Sequence, residues 1–375
     1  MHRYITIGII SYLILVSQTL AQSVMVVNPS NVKRNAEVVS IEWSAIIKKY
    51  PLLDPARLTI RDELTGNVLP MQVEYKGGDR PLNLLVQIDL APNQKKRLLI
   101  VPEVSLPIES KTYGRFVPER KDDFAWENDR IAFRMYGKAL EKTPKEMAYG
   151  IDVWVKRTNR LIIDERYQRG RYHEDVGDGM DYYHVGLTLG AGNCAPMWND
   201  SICYDGTYDR WKILDNGPLR TTFQLEYDPW LVGPDSFTAT KIISLDAGSD
   251  FNRIEVKYSC ATRSSFELAV GIVKRKEGGW IEKNNKMGWM AYWEPEHGKD
   301  GTTGIGVVAL DKKVTIDERV DQVLLLTKAK SEQSYIYYTG ACWDRAGFFT
   351  RSEEWFKHLQ AFKVKLGHPI HTIID

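Results

Sequence analysis

Two histidines, three tyrosines and four carboxylates crowd the run RYHEDVGDGMDYYHVGLTLGAGNCAPMW, residues 171–198. Imidazole and phenol beside carboxylates are the groups that move protons near neutral pH. In an extended DYYHV, Asp181, Tyr183 and Val185 share one face, and Tyr182 and His184 share the other. Tyr172 and Glu174 oppose His173 and Asp175 in the same way. Gly177 and Gly179 predict a turn between the two pieces, which would return His173 toward Tyr182 or His184. Gly186, Gly190 and Gly192 then allow backbone to pass close to a ligand. The plainer alternative is a hairpin with a solvated polar face.

These residue types suit removal of a proton beside a carboxylate. His184 or Tyr183 would be the base and His173 or Glu174 the acid. Arg134, Arg169 and Arg171 would grip the carboxylate, since a guanidinium pairs with it through two parallel N–H bonds. The plainer fate of each arginine is a surface ion pair of little energetic value. Asp178, Asp181 and Tyr182 would add hydrogen bonds to a ligand. A calcium or transition-metal ion near His173, Asp178 and His184, with Glu174 and Asp181 as further ligands, suits the donor types. The spacing matches neither an EF-hand nor HExxH, so the expectation is a site without metal or cofactor.

Two later motifs repeat the theme. In WMAYWEPEHGKDG an extended backbone puts Trp289 and Trp293 on one face, and Pro295 ends the strand. Glu296 and His297 then lie at its mouth, making a stacking platform with an acid or base beside it; two core tryptophans are the equal alternative. YYTGACWDRAGFF offers Tyr337, Tyr338, Trp343, Asp344 and Arg345 as a groove wall, or as packing under a helix.

The elements that must position these groups read as strands. SVMVVNP, EVVSIEW, RLTIRD, LLVQIDL and KRLLIVPE alternate and are rich in β-branched residues, predicting a small β-sandwich over residues 22–105. Residues 106–125 read as a linker or strap. In WENDRIAFRMYG, Ile131, Phe133 and Met135 form an apolar face, leaving Arg134 on the other beside Tyr136. Strand-like runs continue to residue 340, and TRSEEWFKHLQAFKVKL predicts one helix over about 352–364. The fold class is therefore all-β, with the larger unit over residues 126–375.

The opening MHRYITIGIISYLILVSQTLAQ matches a signal peptide over residues 1–21, which predicts a periplasmic or secreted protein. No later run is apolar enough to predict a membrane span. Removal of residues 1–21 leaves 49 basic and 49 acidic residues, a balance that offers no field for nucleic acid. Eleven tryptophans and nineteen tyrosines favour sugar stacking in an exported protein, with core packing as the competing use. Cys194 and Cys203 are close enough in sequence to staple a loop, although four cysteines allow three fully paired schemes.

WENDRIAFRMYG, YHEDVGDGMDYYHVGLTLGAG, WMAYWEPEHGKDGTTGIGVV and YYTGACWDRAGFFTRSEEWFKHL, in this order, resemble a secreted domain-of-unknown-function family (DUF4861-like) of polysaccharide-degrading gene clusters. The resemblance covers nearly all of the chain beyond residue 21. It implies a galactose-mutarotase-like supersandwich after a smaller β domain, and a likeness to ulvan-type oligosaccharide dehydratases. The implied substrate is an oligosaccharide or polysaccharide containing uronic acid, and the implied reaction is β-elimination by a dehydratase or a lyase. A mutarotase-like epimerase using His173, His184 and Glu296, and a carbohydrate-binding protein without catalysis, are the alternatives.

Overall fold

The computed structural model describes residues 22–311 and 313–375; the signal peptide expected over residues 1–21 lies outside the described residues. The architecture is all-β, a small sandwich followed by a larger supersandwich and a C-terminal helix. No helix among the described residues is long and apolar enough to cross a membrane.

The first sandwich packs a five-stranded sheet, in the order His371–Ile374, Ser23–Val27, Lys95–Val101, Thr59–Asp62, Val68–Leu69, on a three-stranded one of Arg34–Glu42, Asn83–Leu90 and Met71–Glu74. Val24, Ile60 and Leu98 of the first meet Val39, Ile41 and Val86 of the second in one core. Alternation sets this pairing, because every second residue of each strand must leave water. The strand expected through Trp43 stops at Glu42, and Trp43–Lys49 is a short helix with Trp43 and Ile46 buried. Residues 371–374, expected in the larger unit, pair with Ser23–Val27, and Ile370 and Ile374 pack on the first sandwich.

Half of the expected linker is also ordered differently. Thr112–Val117 is an edge strand of the larger unit, and Pro118 ends it in a single turn. With Asp123–Asn128, Ala132–Met135, Asp152–Lys156 and Gly179–Asp181 it forms a five-stranded antiparallel sheet. A second five-stranded sheet is built around Ala191–Trp198, Ser265–Val273 and Gln322–Lys330. Both contribute to one core with an eight-stranded sheet running from Arg210–Asn216 to Trp280–Asn284, in which Phe133, Val153, Val270, Leu325, Ile254 and Val307 meet.

The other face of the eight-stranded sheet is covered by the helix Ser352–Gly367, longer by three residues than expected. Trp355, Phe356 and Leu359 are its buried stripe. Glu354 turns back to accept hydrogen bonds from Thr350 N (2.8 Å) and Oγ1 (3.2 Å), which fixes the helix start. Beneath the helix lie Trp289 and Trp293, while Met290 and Tyr292 between them face the main core. The Cys194–Cys203 staple is not formed, and all four cysteines are free thiols. Cys194 is buried 3.4 Å from the Tyr258 hydroxyl, turned into the core and away from any loop crosslink.

Candidate functional site

The five-stranded sheet that begins at Thr112 carries opposite chemistries on its two faces. Phe124, Trp126, Phe133, Val153 and Met180 enter the main core. Asp123, Arg134, Asp152 and Asp181 share the other face, because each is one step out of phase with those residues. Arg134 and Asp152 are direct cross-strand partners. Arg134 Nη2 is 2.5 Å from Asp152 Oδ2 and 3.1 Å from Asp181 Oδ2, and Nη1 is 3.6 Å from Asp123 Oδ2. All four side chains are at most 6% exposed. As the sequence predicts, the guanidinium lies beside Tyr136, 5.0 Å from its ring.

One cation cannot neutralise three buried carboxylates. Burial pushes Asp123 up to about 6, against the pull of Arg134 and Arg120. Burial also drives Asp181 far above the ordinary carboxylate range, with the neighbouring Asp152 adding to the effect and Arg134 opposing it. Arg134 is thus buried against the carboxylates of its own sheet, with Nε and Nη1 lacking a hydrogen-bond partner among the described residues, and burial rather than full pairing keeps it from the surface role expected of a carboxylate clamp.

A helix and a loop cross this polar face. Glu127 Oε1 accepts from Ile162 N and Ile163 N at 2.6 and 2.8 Å, satisfying two free donors at the start of helix Ile163–Arg169. Arg166 anchors the helix to the carbonyls of Val155 and Asp178, each at 2.9 Å. Gly179, at φ +97°, lets the returning strand pass where a Cβ would lie 2.1 Å from Val155 O. The loop between lays Tyr172 on Trp154, ring centroids 5.0 Å apart.

His173 follows at the surface, its side chain 67% exposed. Its Nδ1 is 2.8 Å from the main-chain oxygen of Asp181 and 3.7 Å from Asp181 Oδ2. A carbonyl oxygen only accepts, so Nδ1 carries a proton, and Nε2 is the nitrogen left to act as a base. The His173 ring lies 4.6 Å from that of Tyr172, whose Oη accepts from Arg120 Nε at 3.1 Å, while Arg120 Nη1 is buried without a hydrogen-bond partner among the described residues.

DYYH joins this cluster to a second one. Burial alternates along it as expected, with Asp181 and Tyr183 buried, Tyr182 half-buried and His184 exposed. Tyr182 Oη is 2.6 Å from Thr303 Oγ1, and its ring stacks on His297 at 5.3 Å. Arg275 lies 4.8 Å over the Tyr183 ring, is 2.5 Å from buried Glu294 Oε1, and donates to the His184 carbonyl at 2.5 Å. Burial pushes the Glu294 carboxyl up and Arg275 opposes that. Tyr183 is raised well above the usual phenol by burial, and its hydroxyl has no partner among the described residues. A base must reach a ligand proton, so a phenol packed in the core does not fit the role expected of Tyr183.

The remaining candidates are dispersed. Arg171, Glu174 and Glu296 are exposed and make no ion pair or hydrogen bond among the described residues. Asp178 is held by Arg169 at 3.2 Å, and His297 faces Asp300 at 3.3 Å. No group of three or more His, Cys, Asp or Glu side chains among the described residues is arranged to hold a metal, so His173, Asp178 and His184 form no ligand set. Trp289 and Trp293 are core, not a platform, and Trp343 is buried with Nε1 donating to Asp300 O at 2.8 Å. Gly190 and Gly192 make room for protein: a Cβ would meet Ile151 O at 2.4 Å and Thr339 Oγ1 at 2.1 Å. Sequence reasoning missed Arg120, Asp123 and Asp152. The two aspartates were signalled by the alternation of DFAWEN and DVWVK, whose apolar residues claim the core face.

Residues 26–372 match the family described as Domain of unknown function (DUF4861), and the chain belongs to that family. It is 32% identical over 338 residues to Uncharacterized protein P7 of Formosa agariphila, covering 84% of each chain. Among solved structures it is similar to a protein in the Glycosyl Hydrolase Family 38 from Enterococcus faecalis, with TM-score 0.49, 8% identity, and coverage of 95% of this chain and 47% of that one. An alpha-mannosidase from Enterococcus faecalis V583 gives TM-score 0.45 and 7% identity over 95% of this chain and 46% of the other. The chain spans about half the length of these two solved structures.

Proposed function

We propose that the chain is an exported carbohydrate-active enzyme that catalyses β-elimination on oligosaccharides containing uronic acid. One observation carries this reading: an exposed imidazole, oriented through Nδ1 by Asp181, and the half-buried guanidinium of Arg120 both contact Tyr172. His173 Nε2 takes the proton from C5 of the uronate. The electron pair moves into the carboxylate, which Arg120 holds as charge develops there. The pair then returns to form the C4–C5 double bond, and the C4 oxygen leaves with the proton held by the imidazolium. A free hydroxyl at C4 leaves as water, a dehydratase outcome; a glycosidic oxygen leaves as the second sugar, a lyase outcome.

The epimerase alternative asks His173, His184 and Glu296 to act on one anomeric centre, and no hydrogen bond or ion pair among the described residues joins them. The deciding experiment follows ultraviolet absorbance during incubation with uronate-ended oligosaccharides and uronate polymers, with mass spectrometry of the products. Elimination produces a rise from the conjugated double bond. Saccharide binding without any rise across such a panel rules elimination out.

A further inference from the structure

A cleft of about 770 Å³ runs between the two sandwiches and the C-terminal helix, within the size range of ligand sites and at the domain boundary where such sites concentrate. No residue of the His173 cluster lines it. Lys33, Lys76, Arg130, Arg220, Arg253 and Lys365 line it with four carboxylates, and each of these cations except Lys33 is paired with a carboxylate. At its centre is Asp250, buried at 6% side-chain exposure. Asp250 Oδ1 is 2.6 Å from Arg130 Nε, and Oδ2 is 2.9 Å from His358 Nε2. The buried carboxylate fixes the orientation of Arg130 on the cleft wall through Nε and Nη2.

Aromatic surface accompanies the charge. The Arg130 guanidinium lies 3.9 Å over the ring of Phe348, which is itself 57% exposed, and Phe349 and Tyr338 also line the cleft. Arg130 covers one face of Phe348, so the other face is left for a pyranose ring, and Arg130 Nη1, which Asp250 does not engage, keeps donors for an anionic group. Lys33, contributed by the first sandwich, is exposed and has no ion-pair partner among the described residues.

We infer that this inter-domain cleft is a second saccharide site, which takes an anionic sugar bearing a carboxylate or sulfate through Arg130, Lys33 and Phe348. The inference is independent of the elimination chemistry, since it requires only recognition. It also gives the first sandwich a task, because that unit supplies one wall of the cleft.

The test is calorimetric titration with three probes: an oligogalacturonate, a sulfated carrageenan oligosaccharide and neutral maltotetraose. The proteins are wild type, Lys33→Glu, Phe348→Ala and His173→Ala. Lys33 and Phe348 are exposed, so retained thermal unfolding temperature serves as the folding control. The expected result is a binding event for an anionic probe that weakens about tenfold in Lys33→Glu and Phe348→Ala, weakens with added salt, and persists in His173→Ala. Response to galacturonate alone assigns a carboxylate ligand; response to carrageenan alone assigns a sulfate. Equal binding of maltotetraose, affinities unchanged in both cleft variants, or no binding of either anionic probe overturns the inference. Loss of turnover in His173→Ala with this binding event intact separates the fate of the cleft from that of the elimination reading.

Discussion

Asp181 holds His173 at its Nδ1 edge, with its main-chain oxygen at 2.8 Å and its Oδ2 at 3.7 Å. The ring is thereby given one tautomer and one orientation, with Nε2 turned from the protein. His173→Gln should lower turnover by roughly 100- to 10,000-fold and leave thermal unfolding unchanged, because the side chain is largely solvent-exposed. Steady-state rates with a saccharide that shows elimination, paired with a melting curve, check both halves. Undiminished turnover would remove His173 from the chemistry.

Arg120 should govern affinity for the uronate carboxylate. Arg120→Lys keeps the charge but loses the planar fork, so KM should rise about tenfold or more while the fold is kept. Arg120→Ala should be worse still. A neutral saccharide that binds equally well to all three proteins would confirm that the carboxylate is what Arg120 reads.

The pH dependence of stability follows from Asp123. Its folded value of about 6 lies above the ordinary 3.8, so the folded state binds the proton more tightly than the unfolded chain. The destabilisation is absent below the lower value, grows between the two and is complete above the higher one, on the order of 3 kcal/mol. Asn cannot ionise, yet keeps an oxygen for the Tyr167 hydroxyl that Asp123 accepts at 3.3 Å. Asp123→Asn should therefore be more stable than wild type by about 1–3 kcal/mol near neutral pH, with the advantage fading in acid. Denaturant titrations at several pH values measure it, and an advantage that grew on acidification would contradict the sign.

Trp293 and Trp280 are cross-strand partners with opposite fates. Trp293 is buried under the C-terminal helix, whereas Trp280 is 70% exposed. Trp293→Ala should cost about 3–5 kcal/mol, and Trp280→Ala should be nearly silent in stability. Chemical denaturation of the two variants distinguishes them.

The free thiols make a simple chemical statement. Protein unfolded without reductant should titrate as four thiols per chain, from Cys194, Cys203, Cys260 and Cys342. Two thiols would mean that one disulfide forms between two of these cysteines.

Period-two alternation made most of the fold legible. It placed Phe133 in the core and Arg134 beside Tyr136, and it ordered burial along DYYH. It could not tell which of two faces meets a ligand when both are covered. Trp289 and Trp293 share a face as expected, but that face lies under a helix. The centre of the site was hidden for another reason. Arg134, Asp123, Asp152 and Asp181 come from four different strands, and only the order of those strands in space brings three carboxylates to one guanidinium. Family resemblance singled out the motif, yet it could not say that Arg134 was already engaged.

Residues 371–374 complete the sheet that residues 23–27 begin, and Ser23 Oγ donates to Asp375 Oδ2 across 352 positions of sequence. The first sandwich therefore lacks an edge strand until residues 371–374 have been made. Until then the open side of Ser23–Val27 is an unpaired ribbon, competent to join a strand from another copy. The larger unit can fold earlier from its own hairpins, so the first sandwich closes after it, like a clasp fastened last.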